Sequence, residues 1–582
     1  MKRQWMTVAL FGLGALIGNA EPSGESPAVI KARDYGAIPD GGKASNEALR
    51  KAIAAVAALG GKPAVLQFEK GRYDFDPEQA ERIPYFISNT SSADELADRR
   101  KTVGLLFKGI RNLTVEGNGA LLMFDGKMTP FVIDGCENIE VRNLSEDFVR
   151  PTVSEFTVVV KGEKYLDVKV HPDSRYELRD GQFAWVGKGW RWNGRGAANQ
   201  EYDPKRNTTW RGWNPIQDAR KIEELSAGML RLHFDKGPGS EVGRTFQMRD
   251  LIRTDAGAFI VKSRNVAFRD MKVGFIHGMA LLSQFTENIT FERVICEPRE
   301  GSGRTCASFC DWMHFSGCRG KVRVIACRFS GSHDDPINVH GTHLRIVERP
   351  APDRIVVRFM HPQSWGFEAF FPGDEIEFVN AETLLSYASN KVKTAERRND
   401  YEILLTLEKP APERIGKTDC VENVTWTPEV EIRGCRFAVD PTRGILVTTR
   451  RKVVIENNEF FRTTMSAIDI SDDARSWFES GPVRDVTIRN NRFIGCGEPV
   501  IRIAPETAKT APGKYVHSNI RIEGNVFELE NPNSVLSAHG AEGLVFKGNT
   551  VLCRSVQPLE QYLSIRNSQG IAISGNKVET PE

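Results

Sequence analysis

KVVIENNEF (452–460), DVTIRNNRF (485–493) and NIRIEGNVF (519–527) repeat one pattern: a short apolar/polar alternation, an Asn anchor, and a large apolar residue two positions later. The same shape recurs in KVRVIACRF (321–329), EVEIRGCRF (429–437), GLVFKGNTV (543–551) and GIAISGNKV (570–578). Looser copies occur in NLTVEGNGA (112–120), NIEVRNLSE (138–146), NVAFRDMKV (265–273) and NITFERVIC (288–296). Successive anchors Cys435, Asn458, Asn491, Asn525, Asn549 and Asn576 are 23, 33, 34, 24 and 27 residues apart. Self-similarity of one strand unit at such a period is the mark of a solenoid. Period-2 alternation makes the unit a strand rather than a helix. The pattern predicts an all-β chain, a right-handed parallel β-helix whose coils stack about 4.8 Å apart.

Two stretches, 156–250 and 342–428, lack the anchored unit and alternate as antiparallel strands do. Each carries a similar core, LRDGQFAWVG (178–187) and FPGDEIEFVN (371–380), so both read as small antiparallel β-barrels inserted into solenoid turns. The resulting division is a signal peptide (1–20), an N-terminal cap with the first coils (21–155), and a first inserted barrel (156–250). Then follow coils bearing a carboxylate cluster (251–341), a second barrel (342–428) and the C-terminal coils (429–582). In the cap, Asn46 is expected to start an Ala-rich helix over 47–59, closed by Gly60-Gly61, that covers the open end of the solenoid.

The N-terminus has Lys2 and Arg3 before a short apolar stretch and a small-x-small site ending at Ala20. That is the layout of a secretory signal peptide, so the chain is expected to be exported, to a periplasm or beyond. No run is long and apolar enough for a membrane span. The formal charge is +2, and loss of Lys2 and Arg3 leaves a neutral chain, which excludes a basic nucleic-acid footprint. The 10 Cys in 582 residues are too few for a disulfide scaffold. Cys327 and Cys435 fill anchor positions; Cys306, Cys310 and Cys318 are close enough in sequence for one disulfide. A homodimer is one way to cover the C-terminal coil.

Asp311 lies 23 residues before the pair Asp334-Asp335, about one coil. Three carboxylates should therefore share one patch of surface. Neighbouring carboxylates push pKa values apart, as cleavage of a glycosidic bond requires of an acid and a base. Gly331-Ser332 and Pro336 favour a break that lets both members of the pair face one way. Trp312, His314, His333, Asn338, His340 and His343 surround them in sequence. Asp334-Asp335 alone would be read as a turn cap; Asp311 at one coil's separation favours a site. A cation among His333, Asp334, Asp335 and His340 suits calcium poorly and lacks zinc spacing. No metal and no cofactor is expected. Trp190, Trp192, Trp210 and Trp213, in the loop 187–215, either pin that loop or wall the site. Trp365 in HPQSWGFEAFF (361–371) poses the same choice.

An Asp followed one coil later by Asp-Asp is similar to the polygalacturonases, but their Gly-His-Gly and Arg-Ile-Lys motifs have no counterpart here. The chain more closely resembles glycoside hydrolase family 110, exo-acting α-1,3-galactosidases. The resemblance rests on CDWMHFSGCRG (310–320), SGSHDDPINVHGTHLRI (330–346), the run TRGILVTTRRKVVIENNEFFRTTMSAIDISDDARSWFESGPVRDVTIRNNRF (442–493) and the DYGA start, and covers the mature chain. It implies an inverting removal of terminal α-1,3-linked galactose, as on blood-group-B-type glycans, with a glycan as the partner. It makes Asp334 the acid, with Asp311 and Asp335 positioning and activating water. Substrate contacts are expected from Trp312, His314, Asn338, His340, Trp365 and Arg450. In the lateral loop SDDARSWFESG (471–481), Asp472, Trp477 and Glu479 join them; as plain structure, Asp472 and Asp473 would cap a short helix. Two other readings stand beside this one. A β-helix lyase, epimerase or hydrolase of uronic-acid polymers would need basic groups that the aspartate motif lacks. A non-catalytic adhesive β-helix would not need Asp334.

Overall fold

A computed structural model describes residues 26–96, 98–196 and 198–581; the expected signal peptide lies outside them. Strands stack in parallel, coil upon coil, in three sheets. One runs through Glu429–Arg433, Lys452–Glu456, Asp485–Arg489 and His517–Glu523. A second holds Arg436–Asp440, Glu459–Thr463, Arg492–Ile494 and Val526–Leu529. The third holds Ala258–Val261, Leu281–Gln284, Met313–Ser316, the start of Ile337–Ala351, Ile445–Val447, Ile468–Ile470 and Ile501–Ile503.

The anchored unit spans the corner between the first two sheets, and its chemistry explains the motif. The residue before each anchor turns left-handed: φ is 63° at Gly434, 57° at Asn457, 54° at Asn490 and 63° at Gly524. Gly and Asn tolerate that region, so they alternate at this one position. The anchor then points inward and bonds to the next coil. Asn458 Nδ2 donates to Asn491 Oδ1 (3.0 Å), and Asn491 Nδ2 donates to Asn525 Oδ1 (3.0 Å). Each also donates to a corner carbonyl, as Asn491 does to Ile455 O at 2.9 Å. The ladder thus satisfies the backbone groups that the corner removes from the sheets. Cys435 ends it, its amide donating to Asn458 Oδ1 at 2.8 Å. Two residues on, Phe437, Phe460, Phe493 and Phe527 stack with centroids 4.6, 4.9 and 4.9 Å apart. The core is one continuous apolar column along the axis.

The cap helix, Asn46–Ala58, buries Leu49, Ala52, Ile53 and Val56 on the first coil. Ser45, not Asn46, is its N-cap, and Asn46 Oδ1 instead accepts from the Asp76 amide at 2.9 Å. All ten cysteines are buried free thiols, so Cys306, Cys310 and Cys318 form no disulfide.

The first insert is a seven-stranded antiparallel sheet with a three-stranded one, sharing a core that includes Phe156, Trp185, Leu230 and Phe246. The second closes on itself as a barrel: Ile337–Ala351 pairs with both Arg354–Arg358 and Cys420–Asn423, and the circle completes through Glu402–Leu407, Leu385–Arg397 and Glu375–Asn380. Both leave the solenoid beside the third sheet, and their loops rise on either side of its outer face. The segment 86–91 straps across that face: Ser88 N donates to Gln284 Oε1 (2.8 Å) and Ser91 N to Arg253 O (3.0 Å).

Candidate active site

Met313, Ile337, Ile445 and Ile468 align on successive coils of the third sheet. Two positions earlier the same register brings Asp311, Asp335 and Arg443 together at the corner where the chain enters the sheet. Asp334 is tied to the previous coil through its amide, which donates to Cys310 O at 3.2 Å. The three aspartates are thus neighbours, as their spacing implied. Oxygens of Asp311 and Asp334 and the Cys310 sulfur all lie within 4.8 Å of one another.

Their surroundings differ. Asp334 alone of the three lines the open cleft, a cavity of about 320 Å³ shared with Gln200, Arg211, Arg253, Arg443 and Trp477. It meets Arg211 at 3.0 Å and Arg253 at 3.7 Å. Burial pushes its pKa up, but Arg211, Arg253, Arg443 and Arg249 together outweigh burial and hold it below the usual carboxylate value. Asp335 is 2 % exposed and meets Arg443 at 2.8 Å. Burial raises it to about 7, with Arg443 opposing and Asp334 and Asp311 adding to the rise. Among the described residues no Lys or Arg pairs with Asp311; burial, then the charge of Asp334, pushes its pKa well above the usual range. One corner therefore pushes its carboxyls apart in acidity, Asp334 downward and Asp311 and Asp335 upward.

Asp311 Oδ2 lies 2.9 Å from His314 Nδ1, and His314 Nε2 lies 2.8 Å from His340 Nε2. His340 Nδ1 donates to Gly341 O at 2.5 Å, and its Nε2 is 3.5 Å from Glu479 Oε1. Glu479 accepts from Asn89 Nδ2 at 2.8 Å and lines a second lobe of about 360 Å³ with Arg443, Asp473, Trp477 and Arg502. His314 and His340 are buried, His314 against Asp311 and His340 against His314 and Glu479, and neither lines the cleft as expected of a substrate contact. Burial, with His340 adding to it, lowers the His314 pKa to about 3. His314, His340 and Glu479 offer atoms close enough for one cation. Their ring nitrogens stand at 2.8 Å, whereas tetrahedral zinc with bonds of about 2.0–2.1 Å separates two ligand nitrogens by about 3.3 Å. The spacing is that of a hydrogen bond.

The lateral loop is set by Asp473. Its carboxylate accepts the amides of Arg475 (2.8 Å), Ser476 (3.0 Å), Trp477 and Phe478 (3.1 Å), a tight turn rather than the expected short helix. Trp477, 42 % exposed, stacks on His361 of the second insert at 4.2 Å and borders both lobes. Trp477 and Glu479 both line the second lobe. Asn338 lies in register between His314 and Leu446, its Oδ1 buried without a protein partner.

Four more expected contacts are corrected. Trp312 packs fully buried among the apolar side chains of the solenoid core, one residue before Met313–Ser316, and so does not reach the cleft. Trp365 is buried between Phe86 and Tyr401 and donates to Ser91 O at 3.1 Å, pinning the strap. Arg450 is spent on Glu422 and Glu377 (2.8 Å) at the base of the second barrel. Asp472 is wholly buried and accepts the Gly481 amide at 3.3 Å, shaping the loop from behind.

In the loop 187–215, Trp190, Trp192 and Trp213 pack on the insert's own core and Trp210 lies under Arg244. The loop does wall the site, through Gln200 and Arg211. The arginines were missed, and with them the cationic character of the cleft. Arg443 had a signal: R-G-I-L-V (443–447) aligns with D-P-I-N-V (335–339) once the second insert is removed. Arg211 and Arg253 had none, since only the folded insert and strap bring them in.

A family model described as GLAA-B beta-barrel domain I matches residues 154–245, and one for GLAA-B beta-barrel domain II matches 354–421. A right-handed β-helix model matches 420–580. The chain is 39 % identical over 547 residues to alpha-1,3-galactosidase A of Bacteroides thetaiotaomicron, covering 93 % of this chain and 95 % of that one. It is 43 % identical over 529 residues to alpha-1,3-galactosidase A of Bacteroides fragilis, covering 89 % and 86 %. Against alpha-1,3-galactosidase B of Bacteroides thetaiotaomicron it is 33 % identical over 581 residues, covering 95 % and 91 %. With both inserts, the solenoid and nearly full-length identity in common, the chain belongs to the α-1,3-galactosidases of glycoside hydrolase family 110.

Proposed function

We propose that the protein is an exo-acting, inverting α-1,3-galactosidase that removes terminal α-1,3-linked galactose from glycans. The observation that carries this reading is one corner holding three carboxyls in unlike contacts, Asp334 against Arg211 and Arg253, Asp335 against Arg443 and Asp311 against His314, beside a cleft bordered by Trp477, which His361 backs. Trp477 offers an aromatic face to a sugar ring, and a closed cleft admits a chain end rather than an internal residue. Asp334, which faces the cleft, protonates the departing glycosidic oxygen, while Asp311 and Asp335 hold and activate water from the floor.

Inversion needs about 6.5–9.5 Å between acid and base, so that water fits between them. The free protein holds Asp311 and Asp334 oxygens within 4.8 Å. Arg211 draws Asp334 into that position and is itself 57 % exposed. A leaving-group sugar that displaces Arg211 would let Asp334 turn toward it and take up a proton. Proton NMR during the first turnovers tests the stereochemistry: β-galactose appearing first supports inversion, and α-galactose first contradicts it.

Action on uronic-acid polymers is not favoured. Relatives 39–43 % identical are named α-1,3-galactosidases, and Arg211, Arg253 and Arg443 are engaged by the aspartates rather than free for a polyanion.

Export is part of the same reading, supported by Lys2, Arg3 and the apolar stretch before Ala20. Among the described residues no helix is long and apolar enough to cross a membrane. A second copy covering the last coil, where Ala572–Ser574 is exposed, would make a dimer; light scattering at the monomer mass would refute it.

A further inference from the structure

We propose that Asn89, on the strap 86–91, is a positioning residue that sets the Glu479 carboxylate, so that one of its oxygens is offered to a hydroxyl of the bound galactose in the second lobe. The proposal rests on the galactosidase reading and deepens it. Asn89 lies 390 residues from Glu479 in sequence, yet its Nδ2 donates to Glu479 Oε1 at 2.8 Å. His340 Nε2 stands 3.5 Å from the same oxygen. Oε2 has no hydrogen-bond partner among the described residues, and Glu479 lines the second lobe. A carboxylate with one oxygen held and the other free is an acceptor of fixed direction.

The strap is built around this one side chain. Asn89 is 3 % exposed, and its backbone is left-handed at φ 59°, a region that Asn and Gly enter and most residues avoid. Ser88 Oγ donates to Asn89 Oδ1 at 2.6 Å, and Ser364 Oγ, from the second insert, donates to it at 3.4 Å. A carboxylate only accepts, so the amide must turn its nitrogen to Glu479 and its oxygen to the two hydroxyls. Ser88 is itself fixed to the third sheet, by its amide to Gln284 Oε1 and by Ser316 Oγ, which donates to Ser88 Oγ at 3.2 Å. Trp365 pins the strap from the second insert at Ser91 O. The solenoid and the second insert thus both hold the residue that orients Glu479.

Asn89 reaches the acid side of the cleft only through its backbone. Its carbonyl accepts from Arg253 Nη1 at 3.4 Å, and Arg253 Nη2 lies 3.7 Å from Asp334. Changing the Asn89 side chain therefore removes the hold on Glu479 and leaves the contact between Arg253 and Asp334 in place. The loss should appear in binding of the sugar rather than in protonation of the leaving group.

The test compares wild type with N89G, N89D, E479Q and N89D/E479Q on α-1,3-galactobiose and on 4-nitrophenyl α-galactoside. Calorimetry gives galactose affinity, and thermal melting checks the fold of each variant; N89G serves if the double variant does not fold. Glycine keeps the left-handed backbone and loses the amide. N89G should therefore raise KM about 10-fold and weaken galactose binding equally, with kcat little changed on either substrate. N89D sets two carboxylates side by side and should do at least as much harm. N89D/E479Q reverses the pair: the new carboxylate accepts from the new amide, whose oxygen then faces the lobe. Its KM should be lower than that of either single variant, a recovery that general loosening of the strap would not give. Wild-type KM and galactose affinity in N89G and N89D would overturn the proposal and leave the galactosidase reading intact, as would a double variant whose losses simply add. A kcat fall larger on galactobiose than on the nitrophenyl substrate would also overturn it, because the side chain would then act through Asp334. No galactose from wild type would overturn the galactosidase reading, and the proposal with it.

Discussion

Arg211 and Asp334 meet at 3.0 Å across the seam between the first insert and the solenoid. Two parts of the chain that share no core thus meet at one carboxylate, and the contact sets the charge of the group that faces the cleft. Arg211 is largely exposed, whereas Asp334 is mostly enclosed, so the pair can be broken from the solvent side.

Replacing Arg211 by Met should raise the Asp334 pKa, because an opposing cation is removed and burial remains. An acid catalyst works while protonated, so the alkaline limb of the kcat/KM profile should move to higher pH. The pH dependence on a disaccharide checks this; a limb that stays, or moves down, contradicts the role given to Asp334.

Leaving-group chemistry separates acid from base. Asp334→Asn should lower kcat/KM on α-1,3-galactobiose by about 10²–10⁴-fold. The loss should be much smaller on 4-nitrophenyl α-galactoside, whose phenolate departs without protonation. Steady-state kinetics on the two substrates measures the difference; equal losses would assign Asp334 elsewhere.

Two tryptophans that look alike in sequence should fail differently. Trp312→Ala empties a site in the solenoid core, with an expected cost of about 3–5 kcal/mol. Trp477→Ala removes a half-exposed ring stacked on His361, so KM should rise while the denaturation midpoint changes little. Chemical denaturation and kinetics on both variants test the division.

The Asn ladder carries the corner. Asn491→Ala leaves Ile455 O and the Asn458 amide without their buried partners, at about 1–3 kcal/mol for each group stranded. A lower denaturation midpoint with unchanged kcat is the expected outcome.

How far the sequence could be read follows from which forces are local. The corner motif was legible because a left-handed residue, an inward Asn and a stacked Phe recur within five positions. Asp311 and Asp335 were legible as neighbours because nothing interrupts the chain between their coils. Arg443 bonds Asp335 across 108 residues, and only removing the second insert reveals their register. Arg211 and Arg253 depend on how an insert and a strap fold over the sheet, which no repeat encodes. Trp312, Trp365 and Arg450 were assigned by residue type beside a site. Burial in the core, a pinned strap and ion pairs within the barrel base decide them instead.

Everything above turns on the corner of Asp311, Asp334 and Asp335 hydrolysing terminal α-1,3-galactose. The most direct measurement is galactose release from linear α-1,3-galactobiose and the fucosylated blood-group-B trisaccharide, in EDTA, by wild type and Asp334→Asn. The expected result is release by wild type from at least one glycan, and loss of that release in the variant. No release by wild type, or undiminished release by Asp334→Asn, would contradict it.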